Sequence, residues 1–187
     1  MTAFTMALQH TLAIEKGYSN VAGDNGGETY KGISRVFHPS WDGWEVVDEW
    51  KRMEIDTDVR DAHLTPLVEQ FYRSEFWEPL QGDAVAAISV MVACELFDTA
   101  VNMGRHRAVT FLQTALNMQN AYGRTYPDLP VDGILGKSTL NTLRRYMQTE
   151  PIKYNERVLL NCMNGEQYIA YKQNAQHERF RGWFSRV

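Results

Sequence analysis

The sequence predicts a mainly α-helical protein with a small β-hairpin near its N-terminus. Two observations carry this. Apolar residues recur at helical spacing along most of the chain, as in Phe4, Leu8 and Leu12, or Ala108, Phe111, Leu112, Ala115 and Leu116. One early stretch breaks the pattern: Asp24-Asn25-Gly26-Gly27 is a strong turn signal with short runs on either side, which fits a hairpin or an irregular loop.

Each element follows in order. Phe4, Leu8, Leu12 and Glu15 form one stripe of a first helix, and Gly17 marks its stop. Residues 38–50 are rich in aromatics and read as a loop leading into a short helix. Trp41, Trp44 and Trp50 either close a satellite core or line a cleft rim. Thr65-Pro66 followed by Glu69 reads as a helix start, with the helix running to about Phe76. Val85, Ile88, Val92 and Leu96 give the stripe of one long buried helix, and Ala108 to Leu116 another. Tyr126-Pro127-Asp128-Leu129-Pro130 breaks the pattern. Gly136 to Tyr146 and about Ile152 to Gln173 complete the helices.

The 187 residues suffice for one compact domain or two small lobes sharing a core. A net charge of −4 argues against a nucleic-acid binder, which needs clustered Lys and Arg. The locally basic, aromatic segment His177 to Arg186 reads as a solvated helix end that docks its rings. Cys94 and Cys162 sit in apolar helical contexts and read as buried free thiols. The five histidines show no ligand spacing, and the Asn20-to-Lys31 loop fails the calcium template at Ala22 and Lys31. No metal and no cofactor is expected. Gly32-Ile33-Ser34-Arg35 lacks the final glycine of a nucleophile elbow. No stretch reads as a membrane span or, in Met1 to Ile14, as a secretory signal. Synthesis in the cytoplasm is the expectation, with any action outside it needing another route.

Glu15 carries the chemical hypothesis. A carboxyl group can donate a proton at neutral pH when apolar surroundings raise its pKa. Glu15 extends the Leu8–Leu12 stripe, so it is expected to point toward the body of the protein. A lone helix-end Glu is more often a capping or surface residue. Here it is followed by Lys16-Gly17-Tyr18-Ser19-Asn20 and then by Asp24-Asn25-Gly26-Gly27-Glu28-Thr29-Tyr30-Lys31-Gly32-Ile33.

This segment resembles the signature of glycoside hydrolase family 108, an N-acetylmuramidase family that reads Glu-Gly-Gly-Tyr, a short gap, then Asp-x-Gly-Gly-x-Thr. Glu15-Lys16-Gly17-Tyr18 departs from it at Lys16; Asp24 to Thr29 matches it. Phe97 to Gly104 and Leu112 to Asn117 are similar to the family's second segment. Val131-Asp132-Gly133 through Thr139-Leu140 resembles the core of peptidoglycan-binding modules. Read without the resemblance, Asp132-Gly133 and Gly136 form a turn leading into a helix.

The resemblance implies a lysozyme-like fold and cleavage of the β-1,4 bond between N-acetylmuramic acid and N-acetylglucosamine. Glu15 would be the catalytic acid, Asp24 a second carboxylate and Thr29 a holder of the attacking water. Tyr18, Asn20, Tyr30, Asp98 and Asn102 would bind substrate. For the tyrosines, core packing is an equal alternative, and for Asp98 and Asn102 a buried hydrogen-bonded pair. Residues 1–93 would form the catalytic segment and 94–187 a peptidoglycan-binding segment, packed as one body. The partner would be peptidoglycan glycan strands, met by a monomer with neither nucleic acid nor membrane insertion. Phage endolysin or delivered lytic effector is the implied setting, with action in the periplasm or cell wall. Two alternatives stand beside this: a lytic transglycosylase, and a non-catalytic wall-binding or secretion-assisting protein.

Overall fold

The computed structural model describes residues 1–14, 17–20, 27–53 and 57–173. Among them are eight α-helices and one small three-stranded sheet, so the mainly α expectation holds. The chain divides into two compact units, Met1–Pro79 and Leu80–Val187.

In the first unit, α1 (Ala3–Ile14) opens where Thr2 Oγ1 accepts the Thr5 N–H at 3.1 Å. It buries Phe4, Ala7 and Leu8. Strands β1 (Tyr18–Ser19), β2 (Thr29–Tyr30) and β3 (Ile33–Ser34) pair antiparallel in that order, with Tyr18 opposite Tyr30 and Tyr30 opposite Ile33. The expected hairpin therefore gains a third strand. The β2–β3 connection is the two-residue turn Lys31-Gly32, with φ of 43° and 81°. Such left-handed turns match the twist of a hairpin, and Gly32 takes its position without strain.

Helices α2 (Gly43–Met53) and α3 (Thr57–Tyr72) pack together behind the sheet. The start expected at Thr65-Pro66 is displaced, because Pro66 lies inside α3. Proline has no N–H for the preceding turn, and the adjacent Thr65 hydroxyl bonds the Asp61 carbonyl at 2.7 Å. A π-helical turn, Arg73–Trp77, prolongs α3 and is closed by the Glu78 N–H on the Arg73 carbonyl at 2.9 Å. Trp41 and Trp44 close a satellite core, whereas Trp50 packs on Tyr18 of the sheet. Trp44 is buried and donates to the His38 carbonyl at 2.7 Å, and Trp41 meets it edge-on at 5.1 Å.

The second unit contains α4 (Gly82–Ala86), α5 (Val90–Met103), α6 (Arg105–Met118), α7 (Lys137–Met147) and α8 (Ile152–Gln173). The long helix expected across Val85 to Leu96 is split. Ser89 adopts extended backbone (φ −153°, ψ 118°), and its Oγ accepts the Val92 N–H at 3.1 Å, so it caps α5. The same hydroxyl donates to Glu156 Oε1 at 2.7 Å, joining the start of α5 to α8. The core is built from Val92, Leu96, Phe97, Leu112, Leu116, Leu143, Leu159 and Met163. Cys94 and Cys162 are free thiols, each half-buried.

Candidate active site

The candidate site is where α1 ends and the small sheet begins. Glu15 and Asp24 lie outside the described residues. The backbone just beyond Glu15 is held in place: the Gly17 carbonyl accepts the Lys31 N–H at 3.0 Å, and Ser19 pairs with Thr29. The segment that follows Glu15 is thus fastened to the strand that follows Asp24. Tyr72 supports the same point from α3, its hydroxyl donating to the Lys31 carbonyl at 2.8 Å. Lys31 itself is held at positive φ, a strained setting for a non-glycine residue. A cavity of about 400 Å³ opens beside this junction, lined by Leu8 and Leu12 of α1, Gly17, Lys31, and Val68 and Glu69 of α3. The apolar stripe that leads to Glu15 runs along it.

One carboxylate fixes the sheet. Glu28 accepts from the Tyr18 hydroxyl at 2.9 Å, from Arg35 Nη1 at 2.8 Å and from Lys51 Nζ at 2.5 Å. Arg35 is forked, also giving Nη1 and Nη2 to Asp48 at 2.8 and 2.5 Å. Burial alone would raise the Glu28 carboxyl, but the hydrogen bonds from Lys51, Arg35 and Tyr18 hold it below its ordinary value. Asp48 is held well below the usual carboxylate range, chiefly by its bond from Arg35. Tyr18 is raised, by burial and by its bond to Glu28. The network leaves Glu28 ionised and saturated with donors, so its chemistry is to position β1, β2 and α2.

The other expected site residues fall in three places. Thr29 is half-buried on β2, its hydroxyl donating to the Gly27 carbonyl at 3.3 Å. Tyr18 is half-buried on β1, edge-on to Trp50 at 5.3 Å, and Asn20 is exposed just beyond it. Tyr30 is wholly buried: its hydroxyl donates to Asp61 at 2.9 Å and its ring stacks on Trp41. Its ring therefore faces protein. Asp98 and Asn102 lie one turn apart on α5, in the second unit. Asp98 is buried, and the half-buried Asn102 donates to the hydroxyl of Tyr171 on α8. The Tyr171 hydroxyl also accepts from Gln167 at 2.8 Å.

Two acidic residues were not singled out from sequence. Glu28 sits inside the quoted signature, but its partners Arg35 and Lys51 are joined to it only by folding. Glu95 lies one helical turn before Asp98, a spacing that brings two carboxylates onto one face. Burial, and then the charge of Asp98, push the Glu95 carboxyl up to about 7, against a hydrogen bond from Thr99 that favours ionisation. Among the described residues no group of three His, Cys, Asp or Glu is placed to hold a metal.

Comparison with known proteins adds the following. Residues 8–104 match the family model described as Glycosyl hydrolase 108, and residues 107–187 match the model described as Predicted Peptidoglycan domain. No curated protein sequence matches the chain. Among solved structures, the chain is similar to SagA of Brucella abortus, with a TM-score of 0.64 at 22% identity over 98% of this chain and 88% of that one. That likeness supports the mainly α, lysozyme-like fold.

Proposed function

Because the chain belongs to glycosyl hydrolase family 108 and is a glycoside hydrolase acting on peptidoglycan, we propose that it is an N-acetylmuramidase. The bond it would cleave is the β-1,4 linkage from N-acetylmuramic acid to N-acetylglucosamine. The observation that carries the reading is the Lys31-to-Gly17 hydrogen bond at 3.0 Å, which fastens the sheet to the chain just beyond Glu15.

In this reading Glu15 donates a proton to the glycosidic oxygen as positive charge develops at the sugar carbon. Asp24 stabilises that charge or activates water, and Thr29 helps to hold the water. Tyr18 and Asn20 contribute to the sugar-binding wall, with Tyr30 supporting it from behind. Asp98 and Asn102, expected from sequence to bind substrate, act in this reading by holding α5 in place, Asp98 buried and Asn102 bonded to Tyr171 of α8. Residues 1–93 carry the cleavage and 94–187 the wall binding. The setting that fits is a phage endolysin or a delivered lytic effector acting at the cell wall.

The test is mass spectrometry of products from purified peptidoglycan, with wild type and Glu15→Gln in parallel. Reducing muramic acid ends, lost in the variant, are expected. Anhydro-muramic ends would instead make the enzyme a lytic transglycosylase and remove the need for Asp24 as a base. Release of no fragments by folded wild type would overturn the muramidase reading and favour a wall-binding role.

A further inference from the structure

Just past α6 the chain passes through three successive residues in left-handed backbone: Ala121 (φ 53°), Tyr122 (φ 60°) and Gly123 (φ 76°). Glycine adopts this without cost. Alanine and tyrosine do not, and such conformations persist only where the surroundings impose them. The surroundings here are specific. Asn120 is buried, accepts the Gly123 N–H at 3.1 Å and donates to Asp128 Oδ1 at 2.5 Å. Asn117 bonds the Leu129 backbone twice, donating to its carbonyl at 2.9 Å and accepting its N–H at 2.7 Å. The loop and the segment 128–129 are thereby clamped to the end of α6.

What the clamp presents is an aromatic ring. Tyr122 is 97% exposed, more than any other large apolar side chain among the described residues. It stands at a concavity of about 530 Å³, lined with it by Asn117, Met118, Asn120, Gly123 and Asp128. The Tyr122 side chain contributes nothing to the core, so packing does not account for the strain. An exposed ring carried on a clamped backbone beside a carboxylate is suited to a sugar. The apolar face of a pyranose stacks on an aromatic ring, and its hydroxyl or amide hydrogens find acceptors. Asp128 spends one oxygen on Asn120 and, being exposed, keeps further acceptor capacity.

We propose that the Tyr122 loop is a second glycan-binding site, where an N-acetylated sugar of the peptidoglycan strand stacks on Tyr122 and donates its acetamido N–H to Asp128. This rests on the reading of peptidoglycan as substrate. A contact outside the cleaving segment would keep the enzyme on an insoluble strand between cuts.

The experiment measures binding to purified peptidoglycan sacculi by sedimentation. It uses the full chain carrying Glu15→Gln, so that the wall is not digested, and adds Tyr122→Phe, Tyr122→Ala or Tyr122→Gly. Tyr122→Phe should bind like its parent. Tyr122→Ala and Tyr122→Gly should bind at least about fivefold more weakly. Tyr122→Gly should melt no lower than its parent, since glycine fits the backbone; a merely structural tyrosine would lower both melting point and binding. An N-acetylglucosamine tetramer should displace the parent from sacculi more effectively than it displaces Tyr122→Gly, whose remaining binding is that of the cleaving segment alone. Unchanged binding by the Ala and Gly variants overturns the proposal, as does competition by free stem peptide but not by the sugar. A parent that fails to bind sacculi also overturns it. If wild type then still releases muramic acid ends, the muramidase reading survives; if it releases none, both fail.

Discussion

Tyr18 and Glu28 face each other across the small sheet, the tyrosine hydroxyl donating to the carboxylate at 2.9 Å. The bond joins the first residue of β1 to the residue just before β2, and Arg35 and Lys51 reach the same carboxylate. Glu28 thus ties β1, the start of β2 and α2 together.

Replacing Glu28 by Ala removes three hydrogen bonds, two of them charged on both sides. A loss of about 2 kcal/mol is expected, read as a melting point lower by about 4–8 °C. Because the folded Glu28 carboxyl lies below its ordinary 4.5, its contribution is present above that value and fades as pH falls through the lowered one. Urea unfolding from pH 7 down to pH 3 should therefore show a shallower decline in Glu28→Gln than in wild type. An equal decline would show that Glu28 is not held by these donors.

Glu95 has the opposite sign. Its carboxyl is pushed up to about 7 in the folded protein, so folding favours the protonated form. Its contribution is full below the ordinary 4.5 and is lost as pH rises through 7. Wild type should lose about 2 kcal/mol between pH 5 and pH 8 relative to Glu95→Gln. Parallel denaturation curves at the two pH values check this, and identical pH dependence would overturn it.

Gly133 sits at φ 68°, and a β-carbon there would lie 2.4 Å from the His106 ring. The surrounding turn is organised by Gln113, which accepts the Gly133 N–H at 2.9 Å and donates to Asp132 at 2.8 Å. Gly133→Ala should cost about 1–2 kcal/mol. Adding His106→Ala should restore only the part due to the clash, because His106 is exposed and its ring can be removed without opening the core. Chemical denaturation of the single and double variants separates backbone strain from contact. Full restoration would mean that the strain is absent.

Elements governed by local pattern were legible in the sequence. The apolar period placed α6 and α8, because helix periodicity acts within a few residues. The Asp132-Gly133 segment proved to be the turn that its residue types favour, with Asp132 accepting the Ile134 N–H at 2.9 Å. The misses were set by distant partners. The stripe from Val85 to Leu96 is continuous in sequence. The break at Ser89 is reinforced by Glu156, which only folding brings near. Pro66 resembles a helix start because its missing N–H suits one, yet a helix interior tolerates it when neighbouring turns compensate. At the site, the signature from Glu15 to Ile33 was visible as a motif. Glu28's role was not, because Lys51 and Asp48 belong to another element.

The cap at Ser89 has a partner at the far end of the same helix. Ser89 meets Glu156 near the start of α8, and Asn102 meets Tyr171 near its end. These two rungs make α5 and α8 run parallel and fix their register, since sliding by one turn, about 5.4 Å, would break both. Each rung closes a long loop, spanning 67 and 69 positions in sequence. Such contacts cannot form until α8 has been synthesised. A nascent chain halted before Glu156 would leave both polar ends of α5 unanswered and the apolar groove meant for α8 open to water. The pairing of α5 with α8 is therefore completed late, and truncations within α8 should be selected against as folding defects.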